Sequence, residues 1–290
     1  MNLTRHLRLF SRRRLTVAAL LAVASAMTTG PAAARSSSRD VRRESEAKPV
    51  IVLVHGAWAD ATSWEKVVLQ LQDDGFTVFA PPNTLRGLPQ DSDHLRSFLT
   101  QNAALEGRSV VLVAHSYGGA VATNAAVGVP QVKALVYVDA FIPDEGETIG
   151  QLAASEPGSC LLAGSPSEIF TAVPYPDAPS GDVDLYIRAS VVPDCFASGL
   201  PAHEAAAVAA VQRPLTAGSF ERPSGPAAWR SVPSWAVVGT EDRVIPPAAL
   251  TFMAKRAGAR ITEADAGHLS MISRPETVVG VIEDAARAVG

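Results

Sequence analysis

Ser116, Asp242 and His268 are the side chains of this 290-residue chain whose types and settings best suit acyl-transfer chemistry. Ser116 lies in Ala114-His115-Ser116-Tyr117-Gly118, between an apolar run and a stretch of small residues. That setting predicts a buried strand, a tight turn and a helix start. The pattern matches G-x-S-x-G with Ala114 in place of the first glycine. The turn needs small flanking residues, and alanine, one methyl larger than glycine, is a mild departure. A serine in an ordinary strand-to-helix turn is the plain alternative.

A serine hydroxyl is a weak nucleophile and needs a base. His268, in Asp265-Ala266-Gly267-His268, follows the last predicted strand and falls at the same sheet edge as Ser116. His94 and His203 sit on predicted helices, His115 is the variable position of the turn, and His55 reads as a holder of its own loop. The imidazole in turn needs an acid that fixes its tautomer. Asp242, after the apolar run SWAVV, gives the chain order Ser, Asp, His. Asp139, at the end of KALVYV, is the rival, and Glu241 is expected to point the other way. Charge developing on a substrate oxygen needs two fixed donors. The N–H groups of Tyr117 and of Ala57, in His55-Gly56-Ala57-Trp58, are the candidates.

These residues require strands that end at one edge. VIVLV (50–54), VVLVA (110–114), KALVYV (133–138) and SWAVV (234–238) are continuous apolar runs, as expected of parallel strands buried on both faces. Shorter strands are expected over 76–80 and 260–263. Helical spacing between them, over 66–72, 91–104, 117–127, 248–257 and 275–289, predicts an α/β fold, a mostly parallel sheet with helices on both faces. A capping box over Thr62-Ser63-Trp64-Glu65 is expected to open the first helix. The alternation breaks at Phe141. Residues 141–230 hold most of the prolines, both cysteines and helical pieces such as 202–211, with no strand signal. We read them as a cap inserted into a core of residues 48–140 and 231–290.

Composition narrows the classes further. Residues 1–34 read as an export signal: Arg5, Arg8, Arg12, Arg13 and Arg14 precede a short apolar stretch over 15–26, and Ala32-Ala33-Ala34 offers a cleavage site. Ala24-Ser25-Ala26 is a second such site. Ser11-Arg12-Arg13-Arg14-Leu15 resembles a twin-arginine signal, with a Sec signal as the alternative. Residues 35–47 form a polar linker. Those first 34 residues hold five arginines and no acid, so the remainder carries a net charge of −9. No basic stripe remains, which argues against a nucleic-acid partner. No apolar run after residue 34 is long enough to span a membrane. Cys160 and Cys195 lack CxxC spacing and nearby histidines, so a metal site is not expected. In an exported chain they read as one disulfide, with two free thiols as the alternative.

VLVHGAWADATSW, VAHSYGGAV, VGTEDRVIP and GHLSMISRPE together resemble the α/β-hydrolase superfamily over residues 49–289. They are most similar to its small-ester branch of carboxylesterases, methyl esterases and hydroxynitrile lyases. The resemblance implies an α/β-hydrolase fold with a cap. It implies Ser116, Asp242 and His268 as a triad, with Ala57 and Tyr117 as oxyanion donors and no cofactor. The expected function is hydrolysis of carboxylic esters or lactones of small hydrophobic substrates. The alternatives are a C–C lyase of the hydroxynitrile-lyase kind and a non-catalytic small-molecule binding protein. The related lyases carry threonine after the first strand's histidine and lysine after the catalytic one. Those positions here are Gly56 and Leu269, which supply neither a hydroxyl nor a charge for departing cyanide.

Overall fold

The computed structural model describes residues 48–179 and 181–290. The signal expected over 1–34 and the linker over 35–47 lie outside the described residues. The apolar runs form strands β1 (Val50–Val54), β2 (Val78–Phe79), β3 (Val110–His115) and β4 (Val132–Val138). A middle segment then carries β5 (Phe170–Val173), β6 (Asp184–Ile187) and β7 (Leu215–Thr216), after which β8 (Ser234–Gly239) and β9 (Arg260–Ala264) follow. Every residue of β1, β3 and β8 is buried, which is why these segments read as unbroken apolar runs rather than alternating ones.

Six strands form one sheet in the order β2-β1-β3-β4-β8-β9, and every neighbouring pair is parallel. The crossovers are α1 (Glu65–Asp73), α2 (Leu88–Gln101) and α3 (Tyr117–Ala125). The middle segment holds the short α4 (Ile149–Ala153) and α5 (Pro166–Ile169) and the longer α6 (Ala202–Val211). α7 (Pro247–Arg256), α8 (Ser270–Ser273) and α9 (Pro275–Val289) complete the chain. Helices cover both faces: α1 packs with α9, and α2 with α3. The chain leaves β1 for β2 on one side and returns to β3 on the other. In open parallel sheets a crevice opens at the carboxyl ends where the winding reverses in this way.

Three local expectations are corrected. The segment 141–230 is not free of strands, because β5, β6 and β7 pair antiparallel as a second, three-stranded sheet. Three of the four β5 residues are exposed and β7 has only two residues, so no period-two pattern reaches the sequence. The Thr62–Glu65 capping box does not form. Asp60 caps a 3-10 turn (Ala61–Trp64) by accepting from the Thr62 N–H at 2.8 Å, and α1 continues from that turn. α2 begins at Leu88, ahead of the expected residue 91, because Gly87 turns the chain at φ 123° and Pro89 suits a first helical turn. Cys160 and Cys195 are joined in a disulfide with Cα atoms 5.7 Å apart. No helix among the described residues is long and apolar enough to cross a membrane.

Candidate active site

Each polar side chain at the carboxyl edge of the large sheet comes from a residue that ends a strand or from the loop that follows one. Ser116 follows β3 with φ 53° and ψ −126°, a strained conformation for a residue with a side chain. Tight backbone packing enforces that turn. A Cβ at Gly118 would lie 2.8 Å from the carbonyl oxygens of Val54 and His55, and one at Gly119 would lie 2.4 Å from that of Phe141. Neither position has room for a side chain. Ala114 is fully accommodated in buried β3.

The structure brings Ser116, His268 and Asp242 into one hydrogen-bonded line. His268 Nε2 lies 2.9 Å from Ser116 Oγ, and its Nδ1 lies 2.7 Å from Asp242 Oδ2. Asp242 Oδ1 accepts from the N–H groups of Val244 (2.7 Å) and Ile245 (3.0 Å). All three side chains are buried. Burial pushes the His268 imidazole down to about 3, so the ring is neutral near pH 7. A neutral ring that donates from Nδ1 to Asp242 has its lone pair on Nε2, facing the Ser116 hydroxyl. Burial also pushes the Asp242 carboxyl up, opposed by the two backbone donors.

The other candidates separate cleanly. Asp139 lies at the same edge, but its oxygens accept from the N–H groups of Gly239 (2.7 Å) and Ser270 (3.3 Å) rather than from an imidazole. Glu241, His94 and His203 are exposed. His55 holds its own loop: Nδ1–H donates to the Gly56 carbonyl (2.9 Å), and Nε2 accepts from the Asn83 N–H (2.9 Å). Ala57 and Tyr117 line the same small cavity as Ser116, about 20 Å³ in volume and otherwise walled by apolar side chains such as Phe141, Ile149 and Leu161. The Tyr117 hydroxyl is anchored on buried Asp91 at 2.6 Å. No cluster of three or more His, Cys, Asp or Glu side chains among the described residues is arranged to hold a metal ion.

Four contributors escaped the sequence reading. His115 donates from Nε2 to the His268 carbonyl at 2.9 Å, and its ring lies 4.7 Å from that imidazole. Burial and the neighbouring His268 hold the His115 imidazole well below its ordinary range. Phe196 places its ring 5.5 Å from His268. Trp58, at φ 55°, lines both the small cavity and a second, open groove of about 270 Å³. Asp91 gathers Tyr117, Thr84 and two backbone N–H groups. Trp58, beside a predicted oxyanion donor, His115, the variable position of the serine turn, and Asp91, the start of an expected helix, were in view in the sequence, but their contacts with the site were not.

The chain belongs to the alpha/beta hydrolase family, which it matches over residues 51–281. The carbendazim hydrolyzing esterase of Nocardioides sp. (strain SG-4G) is 36% identical over 109 residues, which is 34% of this chain and 44% of that protein. Methylesterase 7 of Arabidopsis thaliana is 38% identical over 104 residues, which is 32% of this chain and 40% of that one. The matched stretches thus span less than half the length of either relative. Polyneuridine aldehyde esterase shares the fold with a TM-score of 0.67 at 18% identity, covering 82% of this chain and 99% of its own.

Proposed function

We propose that this chain is an exported serine esterase that cleaves carboxylic esters or lactones of small hydrophobic molecules through an acyl-enzyme. The observation that carries the reading is the hydrogen-bonded line from Ser116 Oγ through the His268 imidazole to Asp242. The esterase names of the two relatives point the same way. Ser116 Oγ attacks the ester carbonyl carbon while His268 Nε2 takes its proton. Asp242 accepts from Nδ1–H and balances the imidazolium that forms. The Ala57 and Tyr117 N–H groups receive the oxyanion. His268 returns the proton to the departing alcohol, and water then repeats the sequence to release the acid.

The nucleophile, base and donors are all protein groups, so the chemistry needs no cofactor. Residues 141–230 serve as the cap over a core of 48–140 and 231–290. Residues 1–34 direct export to an oxidising compartment, where a disulfide such as Cys160–Cys195 persists. The partner is a small-molecule substrate. A fluorophosphonate probe, which needs an activated serine, is expected to label the wild type and not Ser116→Ala, alongside turnover of p-nitrophenyl esters. Absence of both labelling and turnover sinks the reading. Cyanide release from mandelonitrile that depends on Ser116 would favour the lyase.

A further inference from the structure

The Cys160–Cys195 disulfide joins two stretches of chain that touch opposite halves of the Asp242–His268 pair. On the acid side, the Cys160 N–H donates to the Arg243 carbonyl at 2.7 Å, and the Ser159 hydroxyl donates to the Val244 carbonyl at 2.8 Å. Those carbonyls belong to the two residues after Asp242, and the Val244 N–H is itself one of the donors to Asp242 Oδ1. On the base side, Phe196, next to Cys195, packs its ring against the His268 imidazole. The same stretch presses on the loop before the histidine, since a Cβ at Gly267 would lie 2.4 Å from the Ser198 carbonyl oxygen. The Arg243 guanidinium closes the circuit by donating to the Asp194 carbonyl at 3.0 Å.

We propose that this disulfide is a positioning element that holds the acid loop and the base loop in register and keeps water from the imidazole. The inference rests on the esterase reading above, in which that pair is the catalytic one. The 159–160 stretch is tied to the acid loop by directional hydrogen bonds. The 195–198 stretch meets the base loop through packing, by the Phe196 ring on His268 and the Ser198 carbonyl against Gly267. The covalent link therefore transmits the firm hold on one loop to the other. Without it, Phe196 is free to withdraw, and the imidazole gains solvent.

The consequence has a sign. The groups facing His268 are Asp242 at Nδ1, Ser116 at Nε2 and the ring of His115, while Asp139 binds the Ser270 N–H from the same loop. None of these belongs to the 159–160 or 195–198 stretches. Breaking the disulfide thus leaves the charges in place and changes solvation. Relief of burial raises the imidazole pKa towards its ordinary value and loosens the Ser116–His268 alignment.

The test compares the wild type with Cys160→Ser/Cys195→Ser on p-nitrophenyl acetate, well below either melting temperature. We expect kcat to fall about 10-fold or more with KM changed less than about 3-fold, as for lost alignment rather than lost binding. The acid limb of the pH profile should move up by about one unit as burial is relieved. A double variant with a lower Tm but wild-type kcat and pH midpoint overturns the proposal and leaves only a stabilising crosslink. If that variant does not fold, the wild type is reduced in place with dithiothreitol. Fluorophosphonate labelling and circular dichroism are then followed together. Labelling that slows before ellipticity is lost supports the proposal, and labelling that persists until unfolding overturns it. Failure of the oxidised wild type to label overturns the esterase reading itself, which separates the two failures.

Discussion

Asp139 Oδ1 accepts a 2.7 Å hydrogen bond from the backbone N–H of Gly239, the residue that ends β8. Its other oxygen takes the Ser270 N–H, just beyond His268. The carboxylate therefore ties β4 to β8 and to the loop that carries the imidazole. Asp242, by contrast, gives one oxygen to its own loop and the other to His268. Two buried acids at one sheet edge thus have separate tasks, one anchoring backbone and one facing the ring.

That difference predicts a ranking. Asp242→Asn should lower kcat on the order of 10⁴-fold, because an amide does not favour the Nδ1–H tautomer or balance an imidazolium. Asp139→Asn keeps an oxygen for Gly239 but turns an amide towards the Ser270 N–H. It should cost about 1–3 kcal/mol of stability, as an unmatched buried donor does, and less than about 10-fold in kcat. Steady-state kinetics and thermal melts of both variants check this. The reverse ranking moves the acid to β4.

Ser116→Ala should lose ester turnover on the order of 10⁴-fold or more while melting close to the wild type. Alanine meets the same strained φ as serine, and the turn is enforced by the packing of Gly118 and Gly119 rather than by the hydroxyl. Turnover within about 10-fold of wild type would remove Ser116 from the reaction.

The elements around these residues differed in how plainly the sequence announced them. VIVLV and SWAVV declare themselves because both faces of each strand are buried, so no polar residue interrupts them. Ser116 and Asp242 were legible because each lies just after such a run, whereas His268 follows the short, mostly exposed β9 and was placed by the loop after that last strand. Trp58 and Phe196 were not, since an aromatic residue in a loop carries no period, and their places depend on how residues 141–230 fold back. The small antiparallel sheet was hidden for the same reason. Its register is set by partners such as Phe170 and Ile187, 17 residues apart in the chain, and not by local alternation.

The base must be neutral to accept the serine proton, so activity rises with pH through the imidazole pKa. An exposed imidazole titrates near 6.5, and burial in this site lowers that value. The midpoint of kcat/KM against pH should therefore fall below about 6.5, with a plateau through neutrality. Stability moves with the same sign. The folded state resists protonating His268, so this group's contribution is present above the unfolded pKa and is lost as pH falls below it. A midpoint above about 7 would contradict a buried, neutral base.

Trp58 is expected to set which acyl groups reach Ser116. It lines the small cavity at Ser116 on one side and the open groove on the other, where Phe196, Val208, Leu269 and Ile272 continue the apolar wall. The indole N–H donates to the Leu185 carbonyl at 2.8 Å, and the ring stacks on Phe170 with centroids 5.6 Å apart. A cavity of about 20 Å³ holds little more than one water molecule. Bulky acyl groups therefore need the indole to move, which breaks its hydrogen bond to Leu185 and its stack on Phe170. Trp58→Ala removes the wall and joins cavity to groove. The ratio of kcat/KM for the p-nitrophenyl octanoate over the acetate should rise about 10-fold or more, since added methylenes gain apolar contact. The truncation should also lower stability by about 3–5 kcal/mol, as large-to-small core changes do. Trp58→Phe, which loses the Leu185 hydrogen bond but retains a ring, should leave the octanoate-to-acetate ratio close to that of the wild type. A ratio unchanged within about 2-fold in Trp58→Ala would show that the two spaces are not one substrate path, and that acyl length is read elsewhere in the cap.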